Sequence, residues 1–169
     1  MATTLTAKLK LELDARLAVV QSATSWTEMA KLGTSLLPEW TCSLTDGTTA
    51  NKAQKVYAKK LSISSGGSTT IDLNAAAGDL ASMGTINFAS IKVVAIRLRT
   101  PVTGKKLVVG NAAADPWAPF LSAATTTIDV PDLLVVTGPV DGFTVGAAAN
   151  LKIAASGADC VADLILVGH

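Results

Sequence analysis

Histidine occurs once in these 169 residues, at His169, and cysteine twice, at Cys42 and Cys160. A Ser-His-Asp or Cys-His arrangement needs an imidazole oriented by a third group, and a terminal residue is poorly placed to be held. Two distant cysteines and one histidine also fall short of a tetrahedral zinc set. Lacking a CxxC spacing, the cysteines read as two reduced, buried thiols. Asp46, Asp129, Asp132, Asp141 and Asp159 occupy turn-like segments, where Asp is favoured for backbone reasons, and no stretch has the spaced ligands of a calcium loop. Gly104-Lys105-Lys106 lacks the upstream glycine and following Ser/Thr of a phosphate loop and reads as a hairpin with solvated lysines. These absences lead to the expectation of a non-enzymatic protein with no cofactor and no metal.

Charge and rings are scarce as well. Charged residues make up 16% of the chain and aromatics 4%, and 14 basic groups against 13 acidic ones leave a net charge of +1. So little positive charge gives no electrostatic footprint for nucleic acid. The densest basic cluster, Lys52, Lys55, Lys59 and Lys60 around Tyr57, reads as a solvated strand face. Apolar runs are short, since Lys92 and Arg97 interrupt even the Ile91–Leu98 segment, so no membrane span is expected. Lys8, Lys10, Glu12 and Asp14 stand where a signal peptide would need its apolar stretch, which points to synthesis in the cytoplasm. A weakly charged surface suits permanent assembly better than free diffusion.

What is present is aliphatic. Hydrophobic residues reach 49%, carried by Ala, Val, Leu and Ile. From Leu5 to Leu17, Leu or Ala occupies every odd position and polar groups fill the even ones. That period of two predicts an extended strand. Its leucines, Leu5, Leu9, Leu11, Leu13 and Leu17, would form one apolar face free to meet a partner. Residues 21–54 are irregular and read as a connecting arm with one or two short strands or a helical turn. Beyond them, Val56–Ile63, Thr69–Leu73, Asn87–Leu98, Lys105–Val109, Thr126–Val130, Leu133–Thr137, Phe143–Val145, Leu151–Ala154 and Val161–Val167 are short, rich in β-branched residues and divided by turn chemistry.

About eight strands with no helix long enough to cover a parallel sheet predict an all-β fold: an antiparallel, jelly-roll-like β-sandwich over residues 53–169, preceded by an N-terminal strand arm and connector over 1–52. Ile91–Leu98 and Val161–Val167 are apolar at nearly every position, as in central strands covered on both faces. One of those covers is open to a neighbouring subunit. The stiff loop Asn111–Leu121 concentrates Trp117, Phe120 and two prolines. Its rings suit interface anchors, and they suit equally well a plug for one end of the sandwich.

The order Asp46-Gly47-Thr48, Asn51-Lys52-Ala53, Val56-Tyr57, then Ser68–Leu73, Phe88–Ile96, Val108-Val109-Gly110, the Trp117 loop, Ile128-Asp129-Val130-Pro131 and a closing Asp163–Gly168 resembles a group of small tailed-bacteriophage virion proteins. The resemblance covers roughly residues 40–169, and its motifs mark turns and core strands. It implies a part in decorating or cementing capsids or in building head fibres and tails. No repeats, collagen-like triplets or heptads suggest a fibre. The expectation is therefore a capsid decoration protein on the virion surface, a homo-oligomer, taken as a trimer, that binds the major capsid protein. A tail or head-fibre component that recognises carbohydrate is the alternative.

Overall fold

The computed structural model describes residues 7–11, 40–77, 85–117, 119–121, 123–147 and 149–169, and every regular element among them is a strand. Leu44–His169 belong to one compact unit and Lys8–Ser43 to another. The second unit contributes β1 (Ala7–Leu11) from Lys8 onward and the start of β2 (Trp40–Asp46). Ala7–Leu11 is the described part of the period-two stretch; Leu5, Leu13 and Leu17 lie outside the described residues.

The first unit is an antiparallel β-sandwich. It begins with the end of β2, which pairs in parallel with β3 (Lys52–Ala53). The main strands then follow as β4 (Lys55–Ile63), β5 (Ser68–Asp72), β8 (Ser90–Leu98), β9 (Lys106–Gly110), β10 (Thr127–Val130), β11 (Leu133–Thr137), β13 (Asn150–Ser156) and β14 (Cys160–Gly168). Two-residue strands β6 (Ala76–Ala77) and β7 (Thr85–Ile86) pair with each other, and β12 (Phe143–Thr144) pairs with β8. One sheet runs β10-β9-β13-β5 and the other β11-β8-β14-β4.

Pairing is nested. β9 pairs with β10, β8 with β11, β5 with β13 and β4 with β14, so the chain is folded like one long hairpin. Cross-pairs β13–β9 and β14–β8 then assemble the two sheets. Because β8 lies in one sheet and β9 in the other, the Gly104-Lys105-Lys106 turn bridges the sheets and is not a hairpin. Asp129, which the sequence places both among the turn aspartates and inside the Thr126–Val130 strand segment, lies within β10 and pairs with Lys106 at 2.6 Å.

Between the sheets, alternate residues of each strand interlock. Leu61, Leu98, Leu164 and Leu166 from one sheet and Leu107, Val109, Leu151 and Ile153 from the other belong to a single buried core. Each such side chain contributes about 1.5–3 kcal/mol on leaving water. Cys160 is a buried, free thiol in this core.

A candidate protein interface on one sheet

The two outer faces of the sandwich differ in kind. On β10-β9-β13-β5, the outward positions include Thr70 and Lys152 in one row, and Ser68, Ala154, Val108 and Asp129 in the next. This is ordinary alternation, polar out and apolar in, and it leaves a face made for water.

The outer face of β11-β8-β14-β4 reads otherwise. Register places Leu133, Arg97, Asp163 and Lys60 side by side in one row, then Val135, Ala95, Ile165 and Ala58, then Thr137, Val93, Val167 and Val56. The second row is wholly aliphatic and the third nearly so. β8 and β14 are the two central strands, and their continuous apolar runs now have a structural reason: both faces carry aliphatic side chains.

Part of this face is closed within the chain. Val93 and Val167 are buried although they lie outside the inter-sheet core, as do Leu44 and Ala53. The Leu44–Gln54 segment is tied to that end of the sheet: Gln54 N–H donates to the Gly168 carbonyl at 2.8 Å and Asn51 N–H to the Pro139 carbonyl at 2.7 Å. The other part is open. Ile165 is 42% exposed and Leu133 48%, unusual for large aliphatic residues at strand positions. Small Ala58 and Ala95 leave a hollow of about 420 Å³ between these larger neighbours.

Charge rims the hollow. Arg99 clamps Asp163 through Nε, 2.8 and 3.0 Å from the two carboxylate oxygens, and through a guanidinium nitrogen at 2.8 Å. Arg97 stands directly opposite Asp163 in the β8–β14 register, and Lys60 stands opposite it in β14–β4. Among the described residues, the Asp163 carboxylate is thus neighbour to three cations, of which Lys60 has a further interaction of its own. Arg97 is exposed and makes no ion pair with a described residue.

Of the residues chosen from sequence as interface anchors, Leu9 and Leu11 fall in β1 and belong to the other unit. Trp117 follows the second of its two sequence readings, a plug at one end of the sandwich. It is 2% exposed and packs inside its own sandwich, where its indole N–H donates to the Thr144 carbonyl at 2.9 Å. Phe120 is half-buried beside it. Their rings and that of Phe143 meet edge to face, with centroids 5.7, 6.4 and 6.0 Å apart. In a chain with so few rings, three of them are spent on closing one end of the core. The loop is pinned from both sides, by Trp117 N–H to the Asn150 carbonyl and Asn150 N–H to the Asp115 carbonyl, each 2.9 Å. A second depression of about 410 Å³ lies against this loop, beside Pro116, Pro119 and Leu121, and among the described residues no charged side chain lines it.

Sequence reasoning identified the doubly apolar strands but not the open hollow, because Ala58, Leu133 and Ile165 come together only through strand pairing. Among the described residues, no three His, Cys, Asp or Glu side chains are grouped as a metal site would need. No protein-family model matches this chain, and no curated protein matches it.

Proposed function

We propose that this protein is a non-enzymatic structural component of a tailed-bacteriophage virion: a capsid decoration protein that assembles as a trimer, binds the major capsid protein and bridges neighbouring capsomers. The nested strand order is read as a jelly roll, an architecture shared by viral capsid and lectin domains. Fold alone does not carry function. What carries this reading is the aliphatic outer face of β11-β8-β14-β4, half closed by the chain itself and half left open to a partner.

A decoration protein works by mass action. Whatever binds only the assembled shell adds the free energy of that binding to the work of disrupting it. In this scheme the Leu5–Leu17 stretch of one copy adds to a sheet edge of its neighbour, where main-chain hydrogen bonds supply affinity and the leucine row supplies burial. The protein is made in the host cytoplasm and joins the capsid surface.

The carbohydrate-binding alternative called for exposed Trp117 and Phe120 rings beside turn aspartates. Burial of Trp117 removes that motivation, and the depression beside it has few of the polar groups that a sugar needs.

Quantitative mass spectrometry of purified virions tests the proposal. A copy number equal to that of the major capsid protein, or a simple fraction of it, is expected; absence from the particle overturns the reading. Deleting residues 1–18 is expected to abolish particle binding while leaving the sandwich folded.

A further inference from the structure

We infer that the hollow on the outer face of β11-β8-β14-β4 receives a short, extended, acidic segment of a partner protein, with aliphatic side chains and a carboxylate on the face turned toward the sheet. This deepens the reading of that face as an interface and rests on it.

Area decides first between a segment and a second folded copy. Four strands about 4.8 Å apart and some four residues at about 3.3 Å each make an open patch on the order of 200 Å². Stable protein–protein interfaces bury about 800 Å² per partner. A second copy seated here would need most of its contact elsewhere, whereas five or six extended residues span the patch.

Charge decides next. Two copies meeting face to face would set Arg97 and Arg99 of one against the same guanidinium groups of the other, with Asp163 already engaged by Arg99 on each side. Like charges so placed repel. An incoming carboxylate meets the opposite situation. Arg97 offers an exposed guanidinium that pairs with no described residue, and Arg99 is already held in place by Asp163. Guanidinium–carboxylate pairs of this kind are among the stronger polar contacts because both groups are ionised and the fork is planar.

Alternation supplies the rest. In an extended segment, side chains two apart share one face. Aliphatic groups on that face enter the space above Ala58 and Ala95, against Ile165 and Leu133. A carboxylate two positions further along that same face reaches Arg97, one row away on the sheet.

The test uses the full-length, isotope-labelled protein and two synthetic hexapeptides, acetyl-Val-Ser-Val-Ser-Asp-Ser-amide and acetyl-Val-Ser-Val-Ser-Lys-Ser-amide, followed by amide chemical shifts. Saturable shifts at Ala58, Ala95, Leu133 and Ile165 with the acidic peptide alone are expected. Arg97→Glu, and in lesser degree Arg97→Gln, should weaken them, the reversal by about tenfold. Lys152→Glu, on the other sheet, should leave them unchanged. Shifts that map elsewhere, equal binding of the lysine peptide, or no saturable shift at millimolar peptide overturn the inference. Its failure is separable from that of the virion reading. A chain present stoichiometrically in virions but blind to the peptide loses only this inference, and a chain that binds the peptide but is missing from virions loses only the virion reading.

Discussion

Asp163 on β14 is embraced by Arg99 at the end of β8, carboxylate to guanidinium at 2.8 Å, while Arg97 faces it across the same strand pair. Both partners of the bridge are substantially solvated, so the bridge itself contributes little to stability, at most about 1 kcal/mol. Its effect on the local field is larger. Asp163→Asn is expected to shift the unfolding midpoint only slightly and to tighten acidic-peptide binding several-fold. Parallel urea melts and peptide titrations measure both, and weaker peptide binding would contradict the expectation.

Trp117 fills the end of the core, so truncating it opens a large cavity. Trp117→Ala is expected to cost about 3–5 kcal/mol. Trp117→Phe keeps the edge-to-face packing but leaves the Thr144 carbonyl without its indole donor, for a loss of about 1–3 kcal/mol. Denaturant unfolding measures both, and a loss below 1 kcal/mol for the alanine variant would show the ring to be dispensable.

Much of this architecture is legible in the one-dimensional pattern. Nine segments marked by β-branched residues and bounded by Gly, Pro and Asp reappear as strands within a few residues of their predicted ends, since turn chemistry and alternation are local properties. Continuous apolar runs correctly marked β8 and β14 as central. What escaped is what only pairing creates: the hollow above Ala58 and Ala95 and the row of Arg97, Asp163 and Lys60. The inward turn of Trp117 is one of two readings that the sequence allows. A tryptophan between prolines carries no local signal of which way its loop folds, and the Thr144 carbonyl that captures it is 27 residues away.

His169 lies against β8, its N–H donating to the Ser90 carbonyl at 2.9 Å. Its imidazole is held below the ordinary value of 6.5, first by desolvation and then by the nearby Lys92 and Lys55 ammonium groups. A lowered folded-state pKa means that the unfolded chain binds the proton more readily. The corresponding stability is complete above pH 6.5 and is lost as pH falls through the folded-state value. Thermal melts between pH 8 and 5 should therefore show a decline that His169→Gln reduces. An identical slope in the variant would remove His169 as its source.

Gly157 sits in the turn joining β13 to β14 with φ of +89°, and a Cβ there would collide with the Gly104 carbonyl of the loop joining β8 to β9. Both strain and collision oppose any side chain. Gly157→Ala is expected to cost roughly 2–4 kcal/mol, read as a lowered urea midpoint. An unchanged midpoint would mean that the two loops separate freely.

The nested pairing also sets a timetable. β4 is the first main strand to leave the ribosome and its partner β14 is the last, nearly a hundred residues later, so at about 5–20 residues per second β4 waits several seconds with its hydrogen-bonding edge unsatisfied. Lys55, Lys59 and Lys60 punctuate that strand, and charges of this kind discourage an exposed edge from pairing with a stranger. In a cell crowded with nascent copies of one chain, those lysines guard the interval between translation and closure.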